Sequence, residues 1–203
     1  MKFFLDDQRY IDTKHPLDIS LGLSNTEDNP RAWYVNPPKF EPVRTEHYTG
    51  SVAEGGSVNF RDIFFNPHGH GTHTECLGHI TNEVYSINET LNEYFFEAQV
   101  ISIQPEERTN GSDQDHVITL EQMKALDIRK EALVLRTLPN ADKKKTTNYS
   151  DTNPAYLERE VASYLIEQGV KHFLLDLPSV DRESDEGKLA FHHDFWEVPE
   201  NPN

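Results

Sequence analysis

Between residues 133 and 175 the chain passes from a short apolar run, through a stretch of helical periodicity, into a second short apolar run, and few architectures accept that succession. The runs at 133–135 and 173–175 are too short for buried helices and read as strands. Between them Asn153 as N-cap and Pro154 as first helical residue open a helix that carries Leu157, Val161, Tyr164 and Leu165 on one face and ends at Gly169. Strand, helix, strand predicts a right-handed crossover, hence an α/β fold with a mixed, partly parallel sheet. Upstream, 100–103 is a further apolar strand closed by Pro105, and Thr119 with Gln122 offers a capping box for a helix running through Met123 and Leu126.

The rest of the chain is less regular. Pro16, Pro30, Pro37 and Pro38 punctuate the first forty residues, so Trp33, Tyr34 and Phe40 lie in a long loop, where large aromatics either cover the core edge or wall a ligand. Residues 51–65 are strand-like, with Gly55-Gly56 as a hairpin turn and Val58, Phe60, Ile63, Phe64 and Phe65 as apolar positions, and the run stops at Asn66-Pro67. A length of 203 residues, with no internal repeat, suits one domain over 1–203. A formal net charge of −16 repels phosphate backbones and anionic bilayers, which argues against nucleic-acid or membrane partners. The single cysteine, Cys76, allows no internal disulfide, and the opening MKFFLDDQRY lacks an apolar run, so the expected location is cytoplasmic.

Directly after the Asn66-Pro67 stop, residues 68–79 hold His68, His70, His73, Glu75 and His79. Imidazole and carboxylate together suit a borderline divalent ion such as zinc, manganese or iron. In an extended segment residues two apart share a side, so His73 and Glu75 can reach one ion, while Cys76 points away and reads as a packed, inert thiol. Gly69 and Gly71 keep side chains out of the approach. A second group follows the last strand: Asp176 and Asp181 bracket a loop, and His192 stands beside His193. Adjacent histidines do not both face one ion, so one is a candidate ligand and the other structural.

The two groups together resemble the cyclase family, whose motif reads His-x-Gly-Thr-His-x-Asp-x-Pro-x-His and whose best-known members are the bacterial kynurenine formamidases. Here Gly71-Thr72-His73, Glu75 and His79 stand at matching spacing, followed by Ser179-Val180-Asp181 and the stretch from Leu189 to His193. The resemblance implies a swivelling β/β/α-like fold and a divalent metal cofactor, zinc or manganese. It implies His68, His73, Glu75 and His192 as ligands, with Glu75 able to bridge two ions, and His79 as catalytic acid/base. Its activity would be hydrolysis of a small amide, an arylformamidase reaction on N-formylkynurenine, with Trp33 and Phe40 as pocket walls. A cyclic-amide hydrolase acting on a compound such as isatin and a non-catalytic metal-binding member are the alternatives. The departures are equally plain. The family's first histidine falls on Gly69, with His68 and His70 to either side. Glutamate replaces aspartate at Glu75, and Leu77 replaces proline. The family places its last glutamate ligand and closing strands after the His-His pair, whereas these residues stop at Asn203; either Glu197 or Glu200 substitutes or the domain is incomplete at its C-terminus, and an open sheet edge favours a homodimer or higher homo-oligomer.

Overall fold

The protein is described by a computed structural model over residues 1–200, so the expected break at Asn203 lies outside the described residues. It opens with a hairpin, β1 (Lys2–Phe4) against β2 (Tyr10–Asp12), inside the stretch expected to be irregular. Asp6 closes that turn by accepting from the backbone N–H groups of Gln8 and Arg9. After a long loop come β3 (Lys39–Pro42), a small arm of β4 (Arg44–Thr45) and β5 (Tyr48–Thr49), and β6 (Arg61–Phe64), which returns antiparallel to β3.

The hairpin expected about Gly55-Gly56 is not formed. Residues Val52–Glu54 make a 3-10 turn, and Gly56 is pressed so closely onto the β5 backbone that a Cβ there would lie 2.0 Å from the Thr49 carbonyl oxygen. The segment therefore folds back on the β4–β5 arm. Nor do Val58, Phe60, Ile63, Phe64 and Phe65 enter a core; each stays about half exposed, because β6 pairs only with β3 and the ribbon has no second layer on it.

Past Asn66 the chain forms one helical turn, α1 (Pro67–His70), and then α2 (Ile87–Thr90). The ordered body follows: β7 (Ala98–Ile103), a hairpin of β8 (Glu106–Asn110) and β9 (Asp113–Ile118), α3 (Leu120–Lys124), β10 (Ala132–Thr137), β11 (Tyr156–Leu157), α4 (Glu160–Glu167), β12 (His172–Leu175) and α5 (Ala190–Phe195). The sheet order β12-β10-β7 is parallel throughout, with Leu133 opposite Gln99 on one side and Phe173 on the other. A mixed sheet, β11-β9-β8, stands beside it, so the α/β class and partly parallel character hold. β10 is the central strand; Leu133 and Leu135 on one of its faces are fully buried, while Arg136 on the other is exposed.

α3 carries the expected capping box, Thr119 accepting from the Gln122 N–H and Gln122 accepting from the Thr119 N–H. The helix read from Asn153 begins later than expected. Asn153 is left-handed (φ 46°) and its amide donates to the buried Asp115 carboxylate, while Tyr156 and Leu157 are taken up as an edge strand on β9, so α4 starts only at Glu160. Its end is as expected. Gly169 at φ 78° lets its own N–H reach the Ile166 carbonyl and that of Val170 reach Leu165, which satisfies two otherwise unpaired carbonyls.

The buried cluster consists of Ile103, Ile118, Met123, Leu133, Leu135, Leu157, Val161, Ala162, Leu165, Val170, Val180 and Phe191. Every member lies beyond residue 100. The residues before β7 thus contribute nothing to that cluster. Among the described residues no helix is long and apolar enough to cross a membrane.

Candidate metal centre

Four segments bring the candidate ligands together. The Asn66-Pro67 pair forms the N-cap and first position of α1, with the Asn66 side chain accepting from the Gly69 N–H at 3.1 Å, and this turn projects His68. Gly69 is fixed by packing. A Cβ there would sit 2.8 Å from Cγ2 of Val35 and 3.3 Å from the Ala32 carbonyl, where the 32–35 loop closes on the turn. The segment after Gly71 presents His73 and Glu75, a 3-10 turn at Leu77–His79 presents His79, and α5 presents His192.

All four rings converge on one carboxylate. Nδ1 of His68 is 2.7 Å, Nε2 of His73 2.9 Å and Nε2 of His79 3.9 Å from Oε1 of Glu75, and Nε2 of His192 is 3.4 Å from Oε2. His68, His73 and Glu75 form one group whose ligand atoms lie within 4.8 Å of one another, and Glu75, His79 and His192 form a second, with Glu75 common to both. The His68 and His79 rings stack at 4.2 Å. His192 is the most enclosed, its side chain only 9% exposed.

Hydrogen bonds fix two of the rings from behind. His73 donates from Nδ1 to the Gly71 carbonyl at 2.9 Å, and His192 donates from Nδ1 to Oδ2 of Asp181 at 2.5 Å. Asp181 also accepts from the Phe191 N–H at 2.8 Å, so one side chain caps α5 and orients its histidine. With their Nδ1 protons held by acceptors, neutral His73 and His192 turn Nε2 lone pairs toward the Glu75 oxygens. Lone pair against carboxylate repels unless the rings take up second protons or a cation stands among them. Nitrogen and carboxylate donors in this arrangement fit a borderline divalent ion.

The electrostatics follow the same geometry. Burial disfavours the charged form of Glu75, but hydrogen bonds from His192, His73 and His68 outweigh it and hold the carboxyl far below the usual range. For His192, burial opposes the cation, yet the bonds to Asp181 and Glu75 prevail and push the pKa up to about 9. His73 is raised, chiefly by its bond to Glu75. His79 moves the other way, lowered by burial and by the neighbouring imidazoles against the pull of Glu75.

The other expected residues fall as follows. His70 is buried with both ring nitrogens engaged, Nδ1 accepting from the Asn66 N–H and Nε2 donating to the Asn36 carbonyl, which leaves His68 as the histidine that faces Glu75. His193 donates to the Val198 carbonyl. Asp176 accepts from Thr137 and Lys144 instead of reaching the cluster. Cys76 is half-buried with its thiol 3.4 Å from the Tyr85 carbonyl. Glu200 pairs with Arg159, and Glu197 is exposed. Trp33 and Phe40 are half-buried; Phe40 lies on β3 opposite Ile63, and Trp33 follows Ala32, whose N–H donates to the Gly69 carbonyl. The tryptophan packed against the imidazoles is Trp196, 5.2 Å from the His192 ring and 6.5 Å from His79. Its place four residues after His192 was the available signal, legible only once that stretch is known to be helical. A cavity of about 400 Å³ lies behind α1, lined by Val35, Phe64, Phe65 and His70 among others, and takes in none of the converging ligands.

Comparison with known proteins places the chain in a family. The family model described as "Putative cyclase" matches residues 11–182. A kynurenine formamidase of Bacillus cereus (strain ATCC 14579) is 28% identical over 185 residues, spanning 91% of this chain and 78% of that protein. A kynurenine formamidase of Geobacillus thermodenitrificans is 32% identical over 144 residues, which is 70% of this chain and 62% of that protein. With a family match that runs through the whole His68–His79 segment and most of the α/β body, the chain belongs to the cyclase family.

Proposed function

We propose that the protein is a metal-dependent hydrolase of a small amide. The observation that carries this reading is the convergence of His68, His73, His79 and His192 on Glu75, with the rear nitrogens of His73 and His192 already held by acceptors. A zinc or manganese ion held by His68, His73, Glu75 and His192 would supply Lewis acidity and bring the pKa of water toward neutrality. Glu75, as the shared member of both groups, is the residue able to bridge two ions. His79, kept neutral near pH 7 by its lowered pKa, takes the proton of the attacking water and returns it to the departing nitrogen. Water adds to the carbonyl carbon, the carbon–nitrogen bond breaks, and a carboxylic acid and an amine leave.

The relatives named kynurenine formamidase favour an aryl formamide, N-formylkynurenine going to kynurenine and formate, as substrate. Trp33 and Phe40 would wall such a pocket from the N-terminal loop and β3. We assign the chain to one cyclase-family domain of swivelling β/β/α-like type, cytoplasmic in keeping with its single cysteine. A homodimer or higher homo-oligomer is supported by the half-exposed Ile63, Phe64 and Phe65, which a second copy would cover; a monomer mass by light scattering would reject it.

Metal analysis of the wild type beside His73→Ala and His79→Ala, with N-formylkynurenine turnover on the same samples, tests the assignment. His73→Ala loses metal and activity together. His79→Ala keeps metal and loses about two to four orders of magnitude in rate. Full metal and full activity in both variants would remove these roles.

A further inference from the structure

α5 presents two faces, each made by a pair four residues apart. Phe191 and Phe195 stack on one another at 6.0 Å and reach Phe173 on β12 at 6.1 and 6.4 Å, which seats the helix on the core. His192 and Trp196 occupy the next face, the indole tilted 54° to the His192 ring and nearly perpendicular, at 83°, to His79. Trp196 belongs neither to the buried cluster nor to the partly buried hydrophobics packed on it. It is not the anchor of α5 either, since the Asp181 cap, the Arg159 ion pair to Asp194 and the Phe191 and Phe195 contacts to Phe173 hold the helix. A half-buried indole with neither duty stands beside the acid/base and a candidate ligand.

The geometry points to Trp196 as a substrate-positioning wall that selects amides bearing an aromatic ring on the nitrogen. This rests on the hydrolase reading above. His79 hands its proton to the amide nitrogen, so a group bonded to that nitrogen lies within one bond of the atom facing His79. Trp196 is the aromatic side chain stationed there. A planar aryl ring gains an offset or edge contact with the indole, which a saturated ring of equal size does not. The selection therefore acts on the leaving amine and is independent of the acyl side.

Formanilide and N-cyclohexylformamide, alike but for the aromaticity of the ring, are the probes, with Trp196→Leu and Trp196→Phe as variants. Trp196→Leu is expected to raise KM for formanilide about two- to tenfold at unchanged metal content, to raise that for N-cyclohexylformamide by a clearly smaller factor, and to be largely repaired in Trp196→Phe. Equal losses on both amides, or none on either, would overturn the assignment while leaving the hydrolase intact. A second readout does not need turnover. The chain has two tryptophans, so in a Trp33→Phe background the fluorescence reports on Trp196 alone. Benzyl alcohol should change it saturably, and cyclohexylmethanol, equally uncharged, should change it less. If neither amide is hydrolysed but that difference persists, the wall stands and the hydrolase reading fails. An equal response to both alcohols removes the wall, including where Trp196→Leu does not fold.

Discussion

Asp181 shows how much one side chain decides. It accepts from the Phe191 N–H at the start of α5 and holds Nδ1 of His192 at 2.5 Å, so helix position and ring tautomer have one cause. Replacing it with asparagine keeps an oxygen for the cap but removes the charge that sustains the His192 orientation. Asp181→Asn should therefore keep its fold and weaken divalent-ion affinity about 10- to 100-fold, measured by competition with a chromophoric chelator; unchanged affinity would mean the aspartate only caps the helix. The ligand types themselves were legible in the sequence, because His68, His73, Glu75 and His79 crowd into twelve positions. Which of His68 and His70 faces inward was not. That depends on hydrogen bonds from Asn66 and to Asn36, the second across 34 residues of chain.

At the scale of elements, Asp115 does for the mixed sheet what Asp181 does for α5. This fully buried carboxylate on β9 accepts from Asn110, Asn153, Tyr156 and Arg182, and so ties the β8–β9 hairpin, the loop before β11, β11 itself and the loop after β12. Burial raises its pKa, but the bonds from Asn153, Asn110 and Arg182 outweigh that and leave it well below the ordinary carboxylate value. A depressed folded-state pKa means that its contribution is complete above the unfolded value of about 4 and is lost as pH falls further. Asp115→Ala should cost about 3 kcal/mol in urea unfolding at pH 7, and the gap to wild type should narrow below about pH 4; a gap independent of pH would assign the loss to packing alone. Asp115 also explains the main misreading of an element. Asn153-Pro154 carries a helix-start signature, yet the amide is captured by Asp115, and the Asn-Pro pair that does begin a helical turn is Asn66-Pro67. β7, β10, β12, the α3 capping box and the Gly169 stop were legible because each is a local apolar or capping pattern. The β8–β9 hairpin was not, since β8 is wholly exposed and has no apolar alternation; only the Asn110-Gly111 turn announced it.

For the whole molecule, the division of labour between its halves matters most. The buried cluster draws on residues beyond 100, whereas His68, His73, Glu75 and His79 come from the first hundred and His192 from the body. A cation gripped from both directions would be a rivet through two parts of the chain, the first of which adds nothing to the buried cluster, so loading would strengthen the docking of that first part. Limited proteolysis then reads out occupancy. With excess chelator the residues before β7 should be cut sooner while the β7–α5 body resists, and equal rates with and without chelator would show that the two parts hold together unaided. On that reading the supply of metal would govern how firmly the first part of the chain is held to the second.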